Sequence, residues 1–210
     1  MNKKSSIWLI VEATFAPFIL VYFLGYPRDT LSDFIVCTII SILIYIWGSK
    51  LGLHKPAIQQ LQKFDRTLLF ITIGLFLFAW IYGAVYNKIT FQTALSSIAI
   101  TFTYFYYAAI QHFLAQRYLA LRMLSISQQW SKVPEFHAAA MTGVIFGIMH
   151  IPYPNLIIPS AIGGFAYAYY FLNTGKLWAV IVSHALISSA ILYWILDENP
   201  FTELIDFWVQ

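Results

Sequence analysis

Long apolar runs separated by short polar connections set the pattern of this chain. A helix needs about 20 apolar residues to cross the hydrocarbon core of a bilayer. The stretches 7–26, 32–48, 67–87, 93–116, 138–152, 156–173 and 177–196 meet or approach that length and predict about seven membrane-spanning helices. The fifth is the shortest and runs into Pro152-Tyr153-Pro154. Proline cannot donate to the helix ladder, so this span is expected to be tilted or partly re-entrant. Two connections, 49–66 and 117–137, are long enough for helices of their own. The first mixes Lys50, His54, Lys55, Gln59, Gln60, Gln62 and Lys63 with Leu53, Ile58 and Leu61, which suits a helix lying on the membrane surface. The basic start, Lys3-Lys4 before an apolar run to Tyr26, resembles a secretory signal. The run is longer than a signal core and ends without a small-x-small cleavage site, so it reads as the first span.

Charge gives this layout an orientation. With seven spans, ten of the 12 Lys and Arg residues fall on one side of the membrane and two on the other. Cytoplasmic loops carry the positive excess, so the N-terminus is predicted to be cytoplasmic. The acidic tail, with Asp197, Glu198, Glu203 and Asp206, then lies outside.

Composition narrows the class further. Hydrophobic residues make up 60% of the 210 and charged residues 10%, against about a quarter charged in a typical soluble domain. The expected fold is all-α, a single polytopic membrane domain over 1–210 in a cell membrane. Cys37 is the one cysteine, which excludes a disulfide framework and a thiolate metal cluster. No basic block points to nucleic acid. Gly143 and Gly147, like Gly163-Gly164, read as sites of close helix approach.

A polar residue at membrane depth is a functional candidate by default. Glu12 lies in the first predicted span, while Gln111, His112, Gln116 and Arg117 end the fourth. His150 ends the fifth, and Ser183, His184 and Ser188 lie in the seventh. Three histidines on three helices are expected to converge on one cavity. Each has a companion four residues away on the same helix face: Gln116 for His112, Phe146 for His150 and Ser188 for His184. Tyr167, Tyr169 and Tyr170 would line a path for an apolar chain.

The stretch 111–124, Gln-His-Phe-Leu-Ala-Gln-Arg-Tyr-Leu-Ala-Leu-Arg-Met-Leu, resembles the first motif of the CPBP intramembrane proteases. These include the type II CAAX prenyl endopeptidases and the Abi, or bacteriocin-processing, proteins. That motif runs Glu-Glu-x-x-x-Arg, then a small residue, an aromatic and a leucine. Phe146-x-x-x-His150 is similar to the second motif, Phe-x-x-x-His. The segment from Asn173-Thr174-Gly175-Lys176 to Ser183-His184-Ala185-Leu186 resembles the one carrying the third, His-x-x-x-Asn. The resemblance covers about 105–192.

What it implies is hydrolysis of a peptide bond in a membrane-associated or lipidated substrate, with glutamate and histidine activating water. The implied catalytic positions are Gln111, His112, Gln116, His150, His184 and Ser188. Only the histidines of the second and third motifs are kept. Gln111 and His112 replace the two glutamates, Gln116 the arginine and Ser188 the asparagine. A glutamine amide cannot accept a proton as a general base does, whereas His112 or a carboxylate such as Glu12 can. The alternative is therefore a pseudoprotease, a binding, immunity or regulatory protein on the same scaffold. A third reading is a small proton-coupled carrier with the histidines as its relay, although the repeats such carriers use are not evident. No cofactor is implied. The same substitution raises one metal alternative, zinc held by His112, His150 and His184 with water as fourth ligand. The expected partners are membrane lipid and a lipidated or transmembrane peptide.

The orientation is testable by thiol labelling in a Cys37→Ser background. A membrane-impermeant maleimide added outside intact cells should label Asn87→Cys and leave Gln128→Cys unlabelled; the opposite pattern would invert the topology.

Overall fold

The computed structural model describes residues 35–36, 38–40, 42, 62–151 and 154–197. The predicted first span, Glu12 and most of the second span and the 49–66 connection lie outside the described residues. Every regular element among the described residues is helical. In chain order these are α1 (Gln62–Val85), α2 (Phe91–His112), a π-helical segment (Phe113–Ala120), α3 (Leu121–Ser127), α4 (Pro134–Ile148), α5 (Pro154–Thr174), α6 (Leu177–Ala190) and a second π segment (Ile191–Ile195).

Three helices are long and apolar enough to cross a membrane: Phe64–Val85, the continuous Phe91–Ser127 and Leu177–Ile195. Their outer faces suit lipid: Phe70 is 72% exposed, Phe102 76% and Phe91 87%. Water would not favour so much contiguous apolar surface. Two boundaries differ from the sequence reading. The fourth span does not stop at 116, because α2, the first π segment and α3 form one rod of 37 residues. At 1.5 Å per residue it is about 55 Å long and outreaches a hydrocarbon core of about 30 Å. The fifth helix is only 15 residues long and ends at Ile148, before the prolines, leaving His150 in the following turn.

Local chemistry sets the ends. Thr90 and Thr93 cap α2 reciprocally: Thr93 N–H donates to Thr90 Oγ1 at 3.1 Å, and Thr90 N–H to Thr93 Oγ1 at 2.7 Å. Pro134 opens α4, where its missing N–H is harmless. Gly175, at φ 70°, makes the left-handed turn between α5 and α6.

The main core joins α3, α4, α5 and α6 through Leu121, Leu124, Ala138, Phe171, Leu172 and Val180. Two polar clasps hold α1 to the rest. Near its start, Asp65 accepts Tyr170 OH at 2.6 Å and pairs with Lys176. Just past its end, Lys88 pairs with Asp197 at 2.7 Å and donates to the Trp194 carbonyl at 3.2 Å.

The closest helix pair is α4 on α5, and small residues allow it. A Cβ built on Gly143 would sit 2.6 Å from the Ala161 carbonyl oxygen and 2.8 Å from Phe165 N, both backbone atoms that cannot step aside. Around Gly74 in α1 nothing lies within 4 Å of the equivalent position. Gly143→Ala should therefore destabilise by about 1–3 kcal/mol, as overpacking does. Gly74→Ala should be neutral or stabilising by up to ~1 kcal/mol through helix propensity. Thermal unfolding in nanodiscs checks the pair, and equal effects would contradict this account of the α4–α5 contact.

Candidate functional site

Three of the four helices that meet at mid-chain contribute one histidine each. His112 is the last residue of α2, His184 lies midway along α6, and His150 follows α4. The rings of His112 and His184 meet edge to face, with centroids 4.6 Å apart. Phe146 stands between the three: it stacks on His112 at 6.2 Å and contacts His150 at 5.1 Å and His184 at 6.5 Å. Tyr167 of α5 turns its ring on His112 at 5.0 Å, and Tyr104 stacks on His184 at 5.8 Å. The convergence predicted from the sequence is present, but it is a cluster of imidazoles within aromatic rings.

Hydrogen bonds fix each imidazole differently. His150 Nδ1–H donates to the Phe146 carbonyl at 2.8 Å. A carbonyl only accepts, so in neutral His150 the lone pair is on Nε2. His112 Nδ1 meets Gln116 Oε1 at 2.7 Å, and both residues are fully buried. His184 Nε2 has a long, 3.4 Å contact with Ser188 Oγ. His150, His184 and Ser188 keep part of their surface accessible, whereas His112 and Gln116 keep none.

The π segment begins immediately after His112 and contains Gln116. π turns are rare and often occur at functional sites. Sequence periodicity carries no signal for this wider turn. It also missed a hydroxyl chain behind the histidines. Thr72 of α1 donates to the Leu68 carbonyl at 2.7 Å, leaving its oxygen to accept from Ser183 at 2.7 Å, and Ser183 in turn accepts from Tyr167 at 3.1 Å. This order uses each hydroxyl proton once, and it holds Tyr167 against His112.

Four buried side-chain atoms lack a hydrogen-bond partner: Gln111 Oε1, His112 Nε2, Gln116 Nε2 and Trp194 Nε1. Three of them belong to one six-residue stretch. The carboxylates among the described residues lie elsewhere. Asp65 is held by Lys176 and Tyr170, Asp197 by Lys88, and Glu135 sits in the first turn of α4. The zinc arrangement is not assembled: among the described residues no group of three or more His, Cys, Asp or Glu side chains could hold a metal ion. Edge-to-face packing of His112 on His184, with Phe146 between them and His150, does not aim three nitrogens at one point.

Residues 94–190, which contain the whole cluster, match the family model described as type II CAAX prenyl endopeptidase Rce1-like. That segment belongs to the Rce1-like family. The match agrees with the resemblance read from the three motifs and makes the chain a CAAX-protease-like membrane protein. No curated protein and no solved structure matches the chain. In this Rce1-like segment Gln111, His112 and Gln116 stand where the motif has its acids and its arginine, and His112 bonds to Gln116 in their place.

That bond should support the fold. Gln116→Leu leaves His112 Nδ1 unpaired in the interior and should destabilise by about 1–3 kcal/mol. Ser188→Ala, which loses only a long contact, should change stability by less than ~0.5 kcal/mol. Chemical denaturation in detergent micelles reads both, and equal losses would refute the ranking.

Proposed function

We propose that this chain binds a lipidated or membrane-spanning peptide on a CAAX-protease-like scaffold without cleaving it efficiently. The observation that carries this reading is the sealed His112–Gln116 pair. It occupies the place of an acid and a base-orienting cation, and the described carboxylates are committed to other partners. Without a carboxylate, water activation falls to a histidine alone. A missing general base typically lowers the rate about 10²–10⁴-fold. The aromatic rings around the cluster suit an apolar guest chain. The reading includes a multi-pass chain of a cell membrane, with seven spans and a cytoplasmic N-terminus, as the charge distribution supports.

A second reading rests on His150. Its Nδ1–H bond to the Phe146 carbonyl orients a basic, partly accessible Nε2. That geometry supports an intramembrane endopeptidase in which His150 activates water, with His184 and Ser188 facing the reacting carbonyl.

Proteolysis in proteoliposomes separates the two, using farnesylated and transmembrane peptides. The unmodified protein should cleave at background rate. The double substitution Gln111→Glu, His112→Glu should gain at least ~10²-fold, the contribution expected of a restored base. Cleavage by the unmodified protein that His150→Ala abolishes would overturn the binding reading in favour of the hydrolase.

A further inference from the structure

The unpartnered atoms of the Gln111–Gln116 stretch carry ligand information that does not depend on how the amide is oriented. With Gln116 Oε1 accepting from His112 Nδ1–H at 2.7 Å, Gln116 Nε2 is left as a donor and His112 Nε2 as an acceptor. If the amide is flipped, Gln116 N–H donates to Nδ1, the amide oxygen is left as an acceptor, and His112 Nε2–H is left as a donor. Either way the pair offers one donor and one acceptor. Gln111 Oε1 adds a second acceptor. All three atoms are buried, and His112 and Gln116 are 0% exposed. Buried polar groups left unmade are unfavourable, so the set is complementary to a group that both donates and accepts.

We propose that this set binds a neutral amide of the guest peptide and discriminates against a terminal carboxylate. The proposal rests on the peptide-binding function above. An amide supplies a carbonyl for the donor and an N–H for an acceptor. A carboxylate offers only acceptors, leaving two oxygens of the set opposed, and brings a charge among Phe146, Tyr167 and Tyr104 with no cation to offset it. Arg117, the nearest basic residue in the stretch, is exposed. The ring covering His112 is His184, which is partly accessible and whose bond to Ser188 is long at 3.4 Å. Its displacement opens the way to the pair.

The test uses the full chain in nanodiscs and two fluorescent farnesyl-cysteine peptides that differ only at the C-terminus, one a carboxamide and one a free acid. Fluorescence anisotropy should give about tenfold tighter binding of the carboxamide, the scale set by one unmatched buried polar group. Gln116→Met should bring the two affinities together, and Gln116→Arg should reverse their order. Should either variant fail to fold, the comparison on the unmodified protein still decides. Equal or inverted affinities there, with binding intact, overturn the amide grip alone and assign the orphaned atoms to trapped water. No measurable affinity for either peptide overturns the binding function itself.

Discussion

In hydrocarbon a polar group has to find its partner within the protein, and this constraint organises the chain more than any single contact. Nearly every hydroxyl on the spanning helices folds back on a carbonyl one turn earlier or reaches a neighbouring helix. Thr101 does both, bonding the Ser97 carbonyl at 2.8 Å and the Ser189 hydroxyl at 2.9 Å. Thr72, Ser183 and Tyr167 form a longer version that joins three helices. Lipid gives little hydrophobic drive for helices to associate, so such bonds and close packing of small residues hold the bundle together. Gly143 and Gly147 supply the second of these, letting α4 lie directly against the backbone of α5.

The same constraint marks the site. Where most polar atoms are satisfied, three unsatisfied ones in a single helical stretch stand out. They coincide with the positions at which the chain departs from the Rce1-like pattern. Replacing acids and an arginine with neutral amides and an imidazole removes buried charge, which membrane interiors disfavour. The His112–Gln116 bond is an uncharged substitute for an ionic network, and it leaves hydrogen-bonding capacity without charge.

Much of the fold was readable in the sequence. Apolar run length located α1, α2, α5 and α6, and the prolines at 152 and 154 signalled a short helix before them. The three histidines were correctly expected to meet, because each lay at depth on a different helix. Other features left no trace in a linear pattern. The π segment changes the turn width but not the residue types, so the fourth span was read as stopping at 116 when the rod runs on to Ser127. The zinc arrangement failed for a related reason: spacing can bring rings together but does not say which way their nitrogens point. Tyr104 was read as lipid and core packing, and its stacking on His184 depends on the relative rotation of two helices.

The first π segment has a consequence for how this part of the chain can vary. A π turn is geometrically an α-helix carrying one surplus residue, taken up locally while the flanking turns keep their direction. Removing one residue between Phe113 and Ala120 would relax the rod to plain α geometry. Everything beyond would then swing by about 100° around the axis, the angle each residue spans in an α-helix. The α3 face that packs Leu121 and Leu124 into the core would point elsewhere. Length in this stretch is therefore under tighter restraint than side-chain identity, and the motif can lose its charges more readily than it can lose a residue.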